Sequence, residues 1–386
     1  MALGLAARGH WTLSPAVAYL NHGSYGATPR PVLEAQARLR AELESGPVHF
    51  MGCRLEPLLD EARGRLAGLL GARTADLVFV PNATHGVNAV LRSLPFGPGD
   101  ELLTTDHAYN ACRNALDEVA DRTGATVTVA RLPWPVPSAA ALAHAVVGAF
   151  TDHTRLLLLD HVTSPTATVL PVEEILPAAR SRGIFTLVDG AHAPGMVPLQ
   201  LTALGADAYT GNCHKWLCAP KGAAFLWVAP AHQDRMRPPA VSHGRNAPRT
   251  DRSRFHLEFD WTGTADPTAA LCVPAALDFL GGLLPGGLPA LMARNAGLAR
   301  HGRELLARAL GVNPPVPDDC TGSMASLPLP PGNAPALHDA LYDAGFELPV
   351  MPFPAAPARL LRISAQAYNH PGEYEALARA LPALLR

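Results

Sequence analysis

Short apolar runs alternate along this chain with longer stretches whose apolar residues recur every three or four positions. Runs such as 156–159 predict strands buried on both faces, and the longer stretches predict helices that cover them. Together they predict an α/β fold, a largely parallel sheet flanked by helices. The predicted strands are 77–80, 101–104, 126–130, 155–160, 185–189, 208–211 and 223–228, and the predicted helices 31–44, 55–70, 84–93, 109–122, 139–150 and 172–182. After about Pro267 the texture changes to long alanine- and leucine-rich helices, 268–280 and 288–310, with sparse strands near 323–327 and 360–364. A chain of 386 residues favours two domains over one core. The expected division is an N-terminal segment, 1–28, a large domain, 29–266, and a smaller C-terminal α+β domain, 267–386.

Composition narrows the partners. The formal net charge is −2 and no block of like charge stands out, so neither a nucleic acid nor a membrane surface is expected, and a small molecule is. No apolar run reaches the roughly 18–20 residues of a membrane helix, and residues 1–10 lack the pattern of a secretory signal. Cys53, Cys112, Cys213, Cys218, Cys272 and Cys320 are scattered, not clustered like a disulfide framework, which implies a reducing, cytoplasmic setting.

In an open α/β sheet, ligands bind at the carboxyl ends of the strands, so chemistry is sought just after each predicted strand. After 77–80 stands Pro81-Asn82-Ala83-Thr84-His85-Gly86, where Asn82 or Thr84 caps a helix whose first N–H groups form a phosphate seat; ordinary capping explains the same residues. After 101–105 come Asp106-His107-Ala108-Tyr109-Asn110, an imidazole and a phenol of which either is able to stack on a flat cofactor. The strand at 155–160 leads into Asp160-His161-Val162-Thr163-Ser164. The strand at 185–189 ends in Asp189-Gly190-Ala191-His192. A buried carboxylate is costly unless paired, so Asp189 requires a cationic or proton-bearing partner, or else caps the next helix. Finally, Gly211-Asn212-Cys213-His214-Lys215-Trp216-Leu217 sets a lysine among apolar and aromatic neighbours in a chain whose cations are almost all arginine. Desolvation lowers the pKa of such a lysine and makes it nucleophilic enough to form an imine with an aldehyde.

The order of these motifs, from phosphate seat through aromatic strand end and Asp189 to Lys215, resembles the class V aminotransferase family of fold type I pyridoxal phosphate enzymes. The resemblance runs from Tyr19-Leu20-Asn21-His22-Gly23-Ser24 to Arg362-Ile363-Ser364, and the motifs Leu-Asn-His-Gly-Ser, His-Val-Thr-Ser-Pro-Thr and Gly-Asn-x-His-Lys-Trp are most similar to the isopenicillin N epimerase branch. It implies pyridoxal phosphate on Lys215 as the Schiff-base lysine, Asp189 on the pyridine nitrogen and His192 on the phenolic oxygen. Ala83, Thr84, Asn212 and His214 would meet the phosphate, with Ser164 also at the cofactor, and Thr264 would reach the phosphate of a neighbouring subunit, implying a homodimer. His107 or Tyr109 would stack on the ring or face the substrate. Arg362 would grip the α-carboxylate of an amino acid substrate, near Asn21 and His22.

Two fates of the activated α-carbon fit these residues. Return of the proton to the opposite face makes an epimerase or racemase and needs a second acid, for which Tyr109, His107 and His22 are candidates. Expulsion of a β-substituent makes a C–S lyase of the hercynylcysteine sulfoxide lyase type. Transamination stays open. A cysteine desulfurase ranks low because 347–357, before Arg362, holds no cysteine. From another class, Asp189/His192 and Asp160/His161 suggest ligands of a metal hydrolase, although that reading gives Lys215 no role. The proline-rich stretches 237–240 and 349–357, with His243 and Arg245, are expected to shape the substrate pocket.

Overall fold

A computed structural model describes residues 3–386; Met1 and Ala2, at the head of the N-terminal segment, lie outside the described residues. Each predicted strand of the first 230 residues forms: β1 (Leu77–Val80), β2 (Glu101–Thr105), β3 (Thr126–Ala130), β4 (Thr154–Asp160), β5 (Phe185–Asp189), β6 (Ala208–Asn212) and β7 (Ala224–Val228). They join in one sheet in the order β1-β7-β6-β5-β4-β2-β3. Six strands point the same way, and β7, between β1 and β6, runs antiparallel to both.

Successive side chains of a strand point to opposite faces, and the core divides accordingly. Leu156 and Leu158 enter one apolar cluster while Leu157 and Leu159 enter the other. The first cluster is covered by α3 (Ala83–Ser93) and α4 (Asn110–Thr123), through Val87, Val90, Leu116 and Val119. The second is covered by α5 (Ala139–Val147) and α6 (Val172–Ser181) and by α1 (Arg30–Ser45) and α2 (Leu55–Leu70). Burying each such leucine contributes about 1.5–3 kcal/mol. The same alternation carries Asp160, two residues beyond Leu158, and Asp189, two beyond Leu187, toward α3 and α4.

The C-terminal third differs in detail from the sequence expectation. The helix expected at 268–280 is two helices, Thr268–Leu271 and α7 (Val273–Gly281), because Pro274 at the start of the second supplies no N–H to continue the first. The helix expected at 139–150 stops at Val147, ahead of Gly148. Two helices that the pattern did not reveal, α9 (Ala334–Asp343) and α10 (Pro371–Leu384), pack with α8 (Gly287–Leu310) around an antiparallel sheet of β8 (Met324–Leu329), β9 (Val350–Pro352) and β10 (Arg359–Ser364), ordered β9-β10-β8. Helix α8 ties the two bodies together, with Leu288 and Leu291 in the large core and Leu298 and Leu306 in the small one. The N-terminal segment touches both bodies: Ala18–Tyr19 pairs in parallel with Phe346–Glu347, while Trp11 and Ala27 lie in the large core. Among the described residues no helix is long and apolar enough to cross a membrane.

Gly86 shows how closely α3 lies on the sheet: a Cβ there would stand 2.2 Å from Thr210 Oγ1. Replacing Gly86 with Val is therefore expected to lower unfolding stability by at least about 1–3 kcal/mol, read from denaturant midpoints. An unchanged midpoint would show that the helix seat is looser than the structure makes it.

Candidate active site

The carboxyl ends of β4, β5 and β6, the start of α3 and the N-terminal segment enclose a cavity of about 550 Å³. Thr84, Tyr109, Ser164, Asp189, His192 and Lys215, all singled out from sequence, line it, as do Ala83, Asn212 and His214. The loop before α3 decides the capping question. Asn82 Oδ1 accepts the His85 N–H at 2.8 Å, which leaves Thr84 on the cavity wall. The Ala83 N–H, expected at a phosphate, is committed elsewhere: it donates to Asn212 Oδ1 at 2.9 Å and pins α3 to the end of β6.

Asp189 is buried, and each of its oxygens accepts one hydrogen bond from the protein. The Ala191 N–H donates to its Oδ1 at 2.9 Å, and the Cys112 thiol to its Oδ2 at 3.1 Å. Asp160 stands beside it, the two residues being register partners in adjacent parallel strands. Burial, reinforced by the Asp189 charge, pushes the Asp160 carboxyl well above the usual carboxylate range. Lys215 Nζ sits 3.2 Å from His192 Nε2. Lys215 keeps some accessible surface at the cavity, yet its amine is crowded enough that burial, helped by the Arg362 cation, lowers its pKa to about 8; the acids Asp189, Cys112 and Asp160 oppose the shift. Burial also pushes the His192 ring well below its ordinary value, and Lys215 and Arg362 add to the effect.

Arg362 arrives from the middle strand of the small sheet. Its Nη1 donates to the Ser164 carbonyl at 2.6 Å and to Ser164 Oγ at 3.1 Å, and its Nη2 donates to Ser24 Oγ at 3.1 Å. Burial lowers its pKa to about 10. Among the described residues its Nε and the Nδ1 of His192 are buried without a hydrogen-bond partner; His192 lines the cavity, whereas Arg362 stands behind Ser164 and Ser24 and is not part of the wall.

Several sequence candidates lie elsewhere. His107 is enclosed, bonded through Nδ1 to Thr166 Oγ1 at 2.9 Å and packed edge-on against Phe353 and Trp134, so it does not line the cavity, whereas Tyr109 does. His22 is fully buried too: Nε2 donates to the Lys215 carbonyl at 2.9 Å, and Nδ1 accepts from Tyr368 OH at 2.8 Å. With burial lowering its pKa to about 3, it holds the Lys215 loop in place and is no candidate for the second acid. Asn21 accepts from Ser24 Oγ at 2.5 Å and is likewise off the wall. Thr264 is exposed and away from this chain's own cavity. Residues 237–240, 349–357, His243 and Arg245 contribute nothing to the wall. The Asp160/His161 pair separates, because His161 turns to the other face to meet Tyr209 OH at 2.9 Å. Among the described residues no group of three or more His, Cys, Asp or Glu is placed to hold a metal ion.

Sequence reasoning missed Cys112 as the partner of Asp189, and Lys221, which shares the cavity wall. Nothing in the sequence around Cys112 singles it out; only the packing of α4 on the sheet does. Lys221 left a plainer signal, as one of only two lysines in the chain.

The donors present fit pyridoxal phosphate: an amine for its aldehyde, a carboxylate at a strand end for its ring nitrogen, an aromatic ring for its face and a helix start for its phosphate. Fold and site together define a fold type I pyridoxal phosphate enzyme. The family model described as aminotransferase class-V matches residues 18–348. An isopenicillin N epimerase of Amycolatopsis lactamdurans is 40% identical over 98% of both chains. A putative L-cysteine desulfhydrase of Oryza sativa subsp. japonica is 34% identical over 81% of this chain and 67% of its own. Among solved structures, an apo cysteine desulfurase from Thermococcus onnurineus superposes with a TM-score of 0.84 at 20% identity, covering 100% of this chain and 98% of that one. The chain belongs to the class V aminotransferase family and is a pyridoxal-phosphate-dependent enzyme of that family.

The Lys215 environment is measurable directly. In apo-protein carrying Lys221→Arg, Lys215 is the single lysine, and its ¹³Cε NMR signal is expected to titrate with a midpoint near pH 8. Arg362→Met removes a nearby cation and should move that midpoint upward. A midpoint near roughly 10.4, the value of a free lysine, would refute the desolvated site.

Proposed function

We propose that this enzyme inverts the α-carbon of an amino acid, as an epimerase or racemase. The observation that carries the reading is the pairing, on one cavity wall, of an amine with a lowered pKa and a phenol that keeps its proton, Lys215 and Tyr109. Burial raises the Tyr109 pKa, so the two groups differ in kind: one suited to take a proton, the other to give one.

In this reading Lys215 carries pyridoxal phosphate and, once released by substrate, takes the α-proton. The bound cofactor supplies an electron sink that makes that proton acidic. Asp189, held by Cys112 and the Ala191 N–H, would hold the protonated ring nitrogen. His192 and Ser164 would hold the ring's substituents, while Thr84, His214 and the Nδ2 of Asn212 would hold the phosphate. Arg362, oriented by Ser164 and Ser24, takes the α-carboxylate. A division of domains near residue 267 sets Lys215 on one and Arg362 on the other, so the substrate bridges them. Thr264 reaches the site of a second subunit in a homodimer. The reaction runs in the cytoplasm, in keeping with six free cysteines.

The 40% likeness to an isopenicillin N epimerase supports inversion. The 34% likeness to a putative L-cysteine desulfhydrase supports a second reading, elimination across the Cβ–S bond with the same lysine as base. Neither needs a cysteine nucleophile, and among the described residues no cysteine lines the cavity.

Holoenzyme incubated with a panel of L-amino acids in deuterated water is expected to exchange the α-proton and form the D-epimer without releasing pyruvate or ammonia. Pyruvate with ammonia would favour the lyase, and exchange with no substrate at all would overturn chemistry at the α-carbon.

A further inference from the structure

The protein buries the Arg362 guanidinium without a carboxylate. Arg63 and Arg303, equally buried, each hold an aspartate, Asp260 and Asp318. Among the described residues Arg362 has no Asp or Glu within ion-pair distance, and two serine residues stand in. Ser164 takes Nη1 through its carbonyl and Oγ, and Ser24 takes Nη2 through Oγ. Both serines line the catalytic cavity, with the guanidinium behind them.

The two contacts are not equally fixed. Ser164 is gripped mainly by its main chain, in a loop closed by hydrogen bonds between Thr163 and Thr168: the Thr163 N–H donates to the Thr168 carbonyl at 2.9 Å, and the Thr168 N–H to Thr163 Oγ1 at 2.9 Å. Ser24 meets Nη2 at 3.1 Å through a hydroxyl alone, and it spends its own proton on Asn21 Oδ1 at 2.5 Å. Turning Ser24 to another staggered position about its Cα–Cβ bond would free Nη2. The flanking anchors need not move, since His22 stays on the Lys215 carbonyl and the Gly23 N–H on Ser364 Oγ at 3.1 Å.

What that rotation would free is one edge of the guanidinium. Nε and Nη2 present parallel N–H groups, the fork that a carboxylate fills with both oxygens. Arg73 uses the same two nitrogens on Asp76, at 2.8 and 2.9 Å. In Arg362 the Nε has no partner, and Nη2 has only a neutral hydroxyl. A carboxylate outbids a hydroxyl for a buried cation.

We propose that Ser24 is a placeholder, a positioning residue whose hydroxyl occupies Nη2 of Arg362 in the empty enzyme and gives way to the α-carboxylate of the substrate. This rests on the α-carbon reading above, in which Arg362 receives that carboxylate. The consequence is opposite in sign to the loss of a binding contact: deleting the Ser24 hydroxyl tightens carboxylate binding, because one hydrogen bond fewer has to be broken.

The test needs neither cofactor nor turnover. In apo-protein carrying Lys221→Arg, Lys215 is the single lysine and reports on Arg362, since burial first and the Arg362 cation second lower its pKa. Propionate paired with Arg362 should therefore move the Lys215 ¹³Cε midpoint upward, and propionamide, of the same shape without the charge, should leave it in place. Ser24→Ala should reach half of that shift at about 3- to 10-fold less propionate, the value of one hydrogen bond. Ser24→Thr, which keeps the hydroxyl, should need the same propionate as the serine protein. A Ser24→Ala protein that needs equal or more propionate overturns the placeholder while leaving Arg362 as the receptor. Arg362→Met should abolish the response to propionate. A response that persists there, or none in the serine protein, sinks the reading of Arg362 as the carboxylate receptor and the placeholder with it.

Discussion

Holding a primary amine where water cannot fully solvate its charge, while two carboxylic acids stand close by, is the constraint around which this protein is arranged. Lys215 is pulled in two directions. Burial and the Arg362 cation favour its neutral form, and Asp189 and Asp160 favour its charged one. The balance leaves a pKa of about 8, low enough for a useful neutral fraction near physiological pH and high enough to take up a proton again. Removing any one member would shift the others, because they share one poorly solvated space.

The fold meets this constraint by side-chain alternation and by closing the site from three directions. Two-residue periodicity sends Asp160 and Asp189 to the same face of the sheet, under α4, where the Cys112 thiol waits for Asp189. The antiparallel pair β6 and β7 turns back through the loop that carries Lys215, and buried Trp216 and Leu217 hold that loop down. Behind it, His22 clasps the Lys215 carbonyl from the N-terminal segment. From the opposite side the small sheet delivers Arg362, whose charge depresses the lysine pKa and whose guanidinium is held by Ser164 and Ser24. The N-terminal segment thus acts as a strap that is paired to the small body at Ala18–Tyr19 and pressed on the lysine loop at Gly26.

The large sheet and the catalytic strand ends were legible in the sequence because they depend on local signals: apolar runs, a cap at Asn82, and a lysine among aromatic neighbours. What escaped depends on contacts between distant segments. Tyr109 and His107 are two residues apart and equally plausible on paper; only the packing of Phe353 and Trp134 around His107 takes it out of the cavity. His22 reads as a free acid in sequence and is a buried clasp in the fold, since its two partners lie 193 and 346 residues away. Helices α9 and α10 and strand β9 went unseen because their short, proline-interrupted segments gain definition from the small core they share, through Leu337, Leu341, Tyr374 and Leu377.

The central claim is that Lys215, and not its neighbour Lys221, is the amine that bears the cofactor. Reduction of holoenzyme with borohydride followed by peptide mass analysis decides it, because the chain offers only two lysines. The account predicts a pyridoxyl adduct on the peptide containing Lys215 and an unmodified Lys221. An adduct on Lys221, or none on either, would contradict it.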